Sequence, residues 1–327
     1  MKEKIKMKQD LKKINEINNK KKIPSKNDTN IKSDYILKKA LRMNKAEDII
    51  YSSSPFVLAL IVQLMSSLVG MFIYGIYKAI QLEPGKYTQI NLAEYINTPL
   101  TMDASLVISA FSAIICIIVF YLWYAKQMKN ECNSIVKVKL KLKHILLLIL
   151  LGIGLQVGIS FLMNLIAMAK PNLFNNYGLI LEQLGGGTTI VSFIYIGIIA
   201  PISEELIFRG VLLNKAKVVL PIFWANVLQG FLFGLYHMNI IQGIYAFIIG
   251  MFLGSICIGF KSIYAAVVLH VIINLCGLLL GQMPINEEYQ TPLVFSSFII
   301  ISIIGIICSM IMLKKDYTHE EEVIIGD

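Results

Sequence analysis

Charge is what this sequence has least of. Only 16% of its 327 residues are Asp, Glu, Lys or Arg, and 56% are hydrophobic. A soluble globular chain has about 25% charged and 45–50% apolar residues, so an ordinary water-soluble domain is excluded. Cysteine is sparse and scattered. Cys116, Cys132, Cys257, Cys276 and Cys308 make an odd set without close spacing, which excludes a disulfide framework or a zinc knuckle and leaves them as packing residues. No apolar run appears before about Pro55, so no cleavable signal peptide is expected. The triple glycine at 185–187 lacks the Lys-Ser or Lys-Thr of a phosphate loop. It reads as a flexible entry to a helix capped by Thr188 or Thr189. An inverted repeat of the kind that marks many transporters is not apparent.

The net charge of +9 is local. Residues 1–47 hold fifteen Lys and Arg against six Asp and Glu, while the remaining residues hold fifteen of each. The molecule is therefore a neutral body with a basic tail, and that tail carries no nucleic-acid-binding motif, so no nucleic-acid partner is expected. Residues 1–50, rich in Lys and Asn, lack an apolar face long enough for a core. They are expected to be mostly disordered, with a short helix near 35–46. As a cytoplasmic tail they set topology by the positive-inside bias and offer a polybasic contact to anionic lipid.

What is present is a series of apolar blocks of membrane-spanning length, about 20 residues each. They fall at 55–77, 106–125, 144–169, 190–213, 221–238, 244–260, 262–280 and 292–313. The fold class is therefore all-α, a polytopic bundle of about eight transmembrane helices. The membrane domain covers 51–320, with a short acidic tail at 321–327. Lysines 126, 129, 137, 139, 141 and 143 crowd one loop, Lys215 and Lys217 a second, Lys261 a third, and Lys314 and Lys315 follow the last block. Placed together in the cytoplasm they give a multi-pass cell-membrane protein with both termini cytoplasmic.

The fourth block carries Ala200-Pro201-Ile202-Ser203-Glu204-Glu205-Leu206-Ile207-Phe208-Arg209. Each ionisable residue near a helix centre costs about 2.5–3.5 kcal/mol to insert, so such groups face the bundle interior or a wet cavity, and they pair. Glu205 and Arg209 are four apart and share a helix face, the spacing of an internal ion pair. Glu204 points about 100° away and is left for other work. The fifth block ends Phe233-Gly234-Leu235-Tyr236-His237, and the seventh holds His270 and Asn274 on one face. A lone membrane histidine usually makes an interhelical hydrogen bond. Two on separate helices, beside an Asn and a carboxylate pair, point to chemistry. His144, after a lysine run, and His319, in the acidic tail, read as ordinary interface and surface residues.

Glu-Glu-x-x-x-Arg, Phe-x-x-x-His and His-x-x-x-Asn in this order resemble the CAAX-processing and bacteriocin-processing (CPBP, or Abi) intramembrane endopeptidases, over roughly residues 185–280. The resemblance implies hydrolysis of a peptide bond in a membrane-associated protein or peptide. It makes Glu204 the base that activates water, with His237 helping to hold that water. His270 and Asn274 would stabilise the oxyanion, and Glu205 and Arg209 would order the site. The family has been described as metallopeptidases, and Glu204, His237 and His270 would be the zinc set with water as fourth ligand. The metal-free reading is favoured, because no His-Glu-x-x-His pair lies on one helix and His270 with Asn274 makes sense as a hydrogen-bonding pair. Substrates implied are prenylated proteins or bacteriocin-like peptides. The alternatives are a non-catalytic membrane immunity or peptide-binding protein, and a carrier with a carboxylate–histidine proton path. Convergence sets one condition: drawn as a straight spanning helix, the fifth block would place His237 far from Glu204, so that helix must be short or tilted. The sequence is silent on oligomeric state.

Overall fold

The computed structural model describes residues 46–80, 102–130, 140–170, 189–281 and 292–326. The tail before residue 46, most of the helix expected near 35–46, Cys132, Lys137, Lys139, the triple glycine, Thr188 and the His319 side chain lie outside the described residues. Contacts divide the chain into Met1–Asp48 and Ile49–Asp327. The architecture below is that of the second unit.

The described residues form nine helices and no strand. They are α1 Ala46–Ser52, α2 Ser54–Ile80, α3 Met102–Asn130, α4 Leu142–Ala169, α5 Ile190–Val219, α6 Ile222–Tyr236, α7 Ile240–Phe260, α8 Ile263–Gly281 and α9 Pro292–Gly326. Each of the eight apolar blocks lies on one of α2 to α9. Six of these, α2, α3, α4, α5, α7 and α8, are long and apolar enough to cross a membrane. Helix α6, at 15 residues, is about 22 Å long, short of a hydrocarbon core of about 30 Å. The surface agrees with a lipid solvent. Helix α2 buries only Pro55, Ala59 and Ser66, while Ile61, Leu64, Met65 and Phe72 are exposed, a surface no monomeric soluble protein presents. The chain is a multi-pass membrane protein.

Small residues set the helix spacing, as expected where lipid supplies no hydrophobic drive to pack one helix on another. In the α6–α7 hairpin a Cβ at Gly234 would lie 2.6 Å from the Gly243 carbonyl oxygen, and one at Gly250 would lie 3.0 Å from Gly230 Cα. Helix α9 docks on α4 in the same way. Gly154 faces Ile306, and the Ser302 hydroxyl donates to the Gly154 carbonyl.

The α6–α7 turn is three residues long. His237 closes α6, Met238 takes a left-handed φ of 53°, and the Asn239 side chain accepts from the Ile241 and Gln242 amides. That cap satisfies two amides which α7 leaves without helical partners. Asn239→Ala is expected to cost about 1 kcal/mol, read as a lower melting temperature of the purified protein in detergent. Thr189 caps α5 as expected, accepting from the Ser192 amide at 3.1 Å.

Two contacts tie helix ends together. Lys215 Nζ on α5 donates to Ser54 Oγ at 2.8 Å and lies over the rings of Tyr51 (3.7 Å) and Trp123 (4.9 Å). His144 is more than an ordinary interface residue. It is fully buried and packs edge-on against Phe260, and its Nδ1 accepts from the Lys141 amide. The proton therefore sits on Nε2, 3.4 Å from Asp316 Oδ2. Lys143 Nζ donates to the other oxygen of Asp316 at 2.7 Å. That hydrogen bond holds the Asp316 carboxyl below its ordinary range, against the opposing pull of partial burial.

Candidate active site

Helix α5 is not regular, and its irregularity begins with Pro201. Proline has no N–H to give and crowds the carbonyl four residues back. The helix absorbs it by widening: Tyr195–Ile199 is a π segment in which the Ala200 amide bonds the Tyr195 carbonyl. In that register the Ile196 carbonyl would look to residue 201, which has no N–H. Asn274 Nδ2 on α8 supplies the bond instead, at 2.8 Å. A short α-helical stretch, Ala200–Glu205, follows, then a second π segment, Leu206–Leu212, buried throughout. Glu204 and Glu205 sit between the two, and π segments of this kind are frequent at functional sites.

The two carboxylates have different surroundings. Glu205 is sealed at 0% exposure, and its Oε1 accepts from Arg209 Nη1 at 2.7 Å and from His270 Nδ1 at 2.8 Å. The ion pair expected from the i,i+4 spacing is formed, and it also holds a histidine. Glu204 keeps 16% of its side chain exposed, and its Oε2 lies 3.6 Å from His270 Nε2. That is longer than a hydrogen bond, so a water that touches both groups would lie beside the pair, on the open side of Glu204. Because His270 Nδ1–H is committed to Glu205, it is Nε2 that faces the freer carboxylate.

Helix α6 is short, as the convergence condition asks, and carries His237 onto the Phe233 ring. Its Nδ1–H donates to the Phe233 carbonyl at 2.9 Å, so Nε2 is the nitrogen with an open lone pair. Its ring packs edge-on against Phe233 with 4.9 Å between centroids, and His270 packs on the same ring at 5.7 Å. Arg209 lies over that ring at 4.6 Å, within cation–π range.

Arg209, His237 and His270 thus gather around one aromatic ring, with Glu205 bonded to Arg209 and His270 and Glu204 beside His270. Asn274 stands one helical turn beyond His270, with one amide hydrogen committed to Ile196; it is not bonded to His270. Phe233 opens the Phe-x-x-x-His spacing, yet nothing in the sequence identifies its ring as the shared support. The Gly250 carbonyl also went unseen in the sequence. It accepts from Arg209 Nη2 at 3.2 Å, and a backbone atom has no signature in sequence. As to metal, no three His, Cys, Asp or Glu side chains among the described residues are grouped to hold an ion.

Comparison with known families finds a match over the segment that carries this constellation. Residues 186–276 match the family model of Type II CAAX prenyl endopeptidase Rce1-like proteins. The match agrees with the resemblance read from the three motifs and contains all six candidate residues. Rce1-like proteins are a protease family, so a membrane protease is the class to which this segment is similar. Comparison with curated proteins and with solved structures gave no match.

Proposed function

We propose that this protein is an intramembrane endopeptidase of the Rce1-like kind, which hydrolyses a peptide bond in a membrane-associated protein or peptide. The observation that carries this reading is the inequality of the two glutamates. Glu205 is sealed and spent on Arg209 and His270, whereas Glu204 is partly open, 3.6 Å from His270 Nε2. A water lodged beside these two groups would donate to Glu204 Oε2.

As that water attacks the scissile carbonyl, its proton passes to Glu204, acting as general base. His237 Nε2, open and unprotonated, accepts a second hydrogen bond from the water and holds its lone pair toward the carbonyl. His270, through Nε2, and the second N–H of Asn274 donate to the developing oxyanion, a role in which one donor contributes about 2.7–4 kcal/mol. The proton held by Glu204 then goes to the leaving amine as the C–N bond breaks. Glu205 and Arg209 orient His270 and keep its Nδ1 protonated. The sequence reading gave the same roles by resemblance; the Glu205 bonds to Arg209 and His270 support the ordering role.

The family match supports a prenylated CAAX-type substrate, a lipidated cysteine close to a C-terminus, ahead of bacteriocin-like peptides. The test is cleavage of a farnesylated CAAX peptide by purified protein in liposomes, followed by mass spectrometry. Release of the C-terminal tripeptide by the wild type and not by Glu204→Gln is the expected result. No cleavage of this peptide or of unprenylated controls would leave a non-catalytic peptide-binding protein. Chelation by EDTA or 1,10-phenanthroline is expected to change the rate by less than about twofold, since the proposed step uses no metal. A loss restored by zinc would make Glu204, His237 and His270 ligands instead.

A further inference from the structure

Two uncharged polar side chains lie deep in the α6–α7 interface, away from the proposed water. Gln229 is fully buried and Asn226 nearly so. Gln229 Nε2 donates to Asn226 Oδ1 at 2.6 Å and to the Gly250 carbonyl at 2.8 Å. Asn226 Nδ2 donates in turn to the Met251 carbonyl and to Ser255 Oγ, both at 3.1 Å. The Gly250 carbonyl is the same atom that accepts from Arg209 Nη2. A continuous chain of bonds therefore runs from Asn226 through Gln229, Gly250 and Arg209 to Glu205 and His270.

The backbone is shaped to admit this chain. A Cβ at Gly250 would sit 3.4 Å from Arg209 Nη2, and a Cβ at Gly254 would collide with Asn226 Oδ1 and stand 2.5 Å from Gln229 Nε2. Both glycines leave space that the polar side chains fill. If the pair served only to fasten α6 to α7, Gln229 would have no need to share its acceptor with the arginine of the site. Arg209 Nε and Gln229 Oε1 are buried and make no hydrogen bond, and among the described residues the guanidinium bonds Glu205 and the Gly250 carbonyl.

We propose that Gln229, backed by Asn226, is a positioning residue for the active site: by fixing the Gly250 carbonyl against Arg209 it sets the Glu205–His270 bond on which the Nε2 side of His270 depends. This rests on the endopeptidase reading above. Removing the Gln229 amide loosens Arg209 on Glu205, and with it the carboxylate that holds His270 Nδ1.

The experiment compares wild type, Gln229→Met, which keeps volume and removes the amide, and Ser255→Ala, at the outer end of the chain. All three are assayed for kcat and KM on the farnesylated CAAX peptide in liposomes, with thermal unfolding on the same preparations. The expected result for Gln229→Met is a kcat about tenfold lower, the scale of a small misplacement of reacting groups, with an unchanged KM. Ser255→Ala should match wild type. A Gln229→Met enzyme with wild-type kcat, or with a loss proportional only to lowered melting temperature, would overturn the proposal. If Gln229→Met does not accumulate folded, Asn226→Ala, which removes the support of Gln229, must show the same fall in kcat at smaller amplitude; a wild-type kcat there would equally overturn it. Glu204→Gln is run alongside. If wild type itself is inactive, or Glu204→Gln is as active as wild type, the endopeptidase reading fails; if those two behave as expected and Gln229→Met is normal, only the positioning role fails.

Discussion

Glu204→Gln is expected to lower the rate of peptide hydrolysis by about 10²–10⁴-fold, the range contributed by a positioned general base, with substrate affinity nearly unchanged. Glutamine keeps the shape and the hydrogen-bonding capacity of the side chain but cannot take a proton. Glu204 is partly open and makes no ion pair with Arg209, so its neutralisation should leave the melting temperature within a degree or two of wild type. A matched loss of activity and stability would instead mean that Glu204 holds helices together. The check is kcat, KM and thermal unfolding on the same preparation.

Arg209→Ala is expected to have the largest effect on stability. Arg209 and Glu205 are both fully buried, and removing one partner of a buried pair costs about 3–5 kcal/mol because the other charge is left without compensation. Here the loss also frees the Gly250 carbonyl and uncovers one face of Phe233. The double variant Glu205→Gln with Arg209→Met should recover much of that stability, since no uncompensated charge remains, yet it should not recover activity, because His270 Nδ1 has lost its carboxylate. Unfolding of both variants in a graded detergent mixture, beside their cleavage rates, separates the two effects.

The parts of this architecture that depend on a single helix could be read from sequence. The apolar blocks mark the helices because lipid demands long uninterrupted runs, and the Glu205–Arg209 pair follows from four-residue spacing. The Thr189 cap follows from its place before an apolar run. What depended on several helices at once was only partly legible. The His270–Glu205 bond joins residues 65 apart, and spacing within α8 suggested Asn274 as the natural partner of His270. In the structure Asn274 answers the carbonyl that Pro201 strands in α5. The short α6 was a requirement of the motif reading rather than something the apolar pattern showed. Block 221–238 has nearly the length of a span, and its end is fixed by the left-handed Met238 and the Asn239 cap. Asn226 and Gln229 stand out in that block as polar residues three apart, but their meaning appears only with Gly250 and Gly254 across the interface.

The central claim is that Glu204 activates a water which attacks the peptide carbonyl directly. A single turnover on the farnesylated CAAX peptide in ¹⁸O-labelled water tests it, with mass spectrometry of both the cleaved peptide and the enzyme. The expected result is one ¹⁸O in the new C-terminal carboxylate of the product, none in the Glu204 carboxylate, and no labelled product from Glu204→Gln. Label in Glu204 itself, or a labelled product formed equally well by Glu204→Gln, would contradict it.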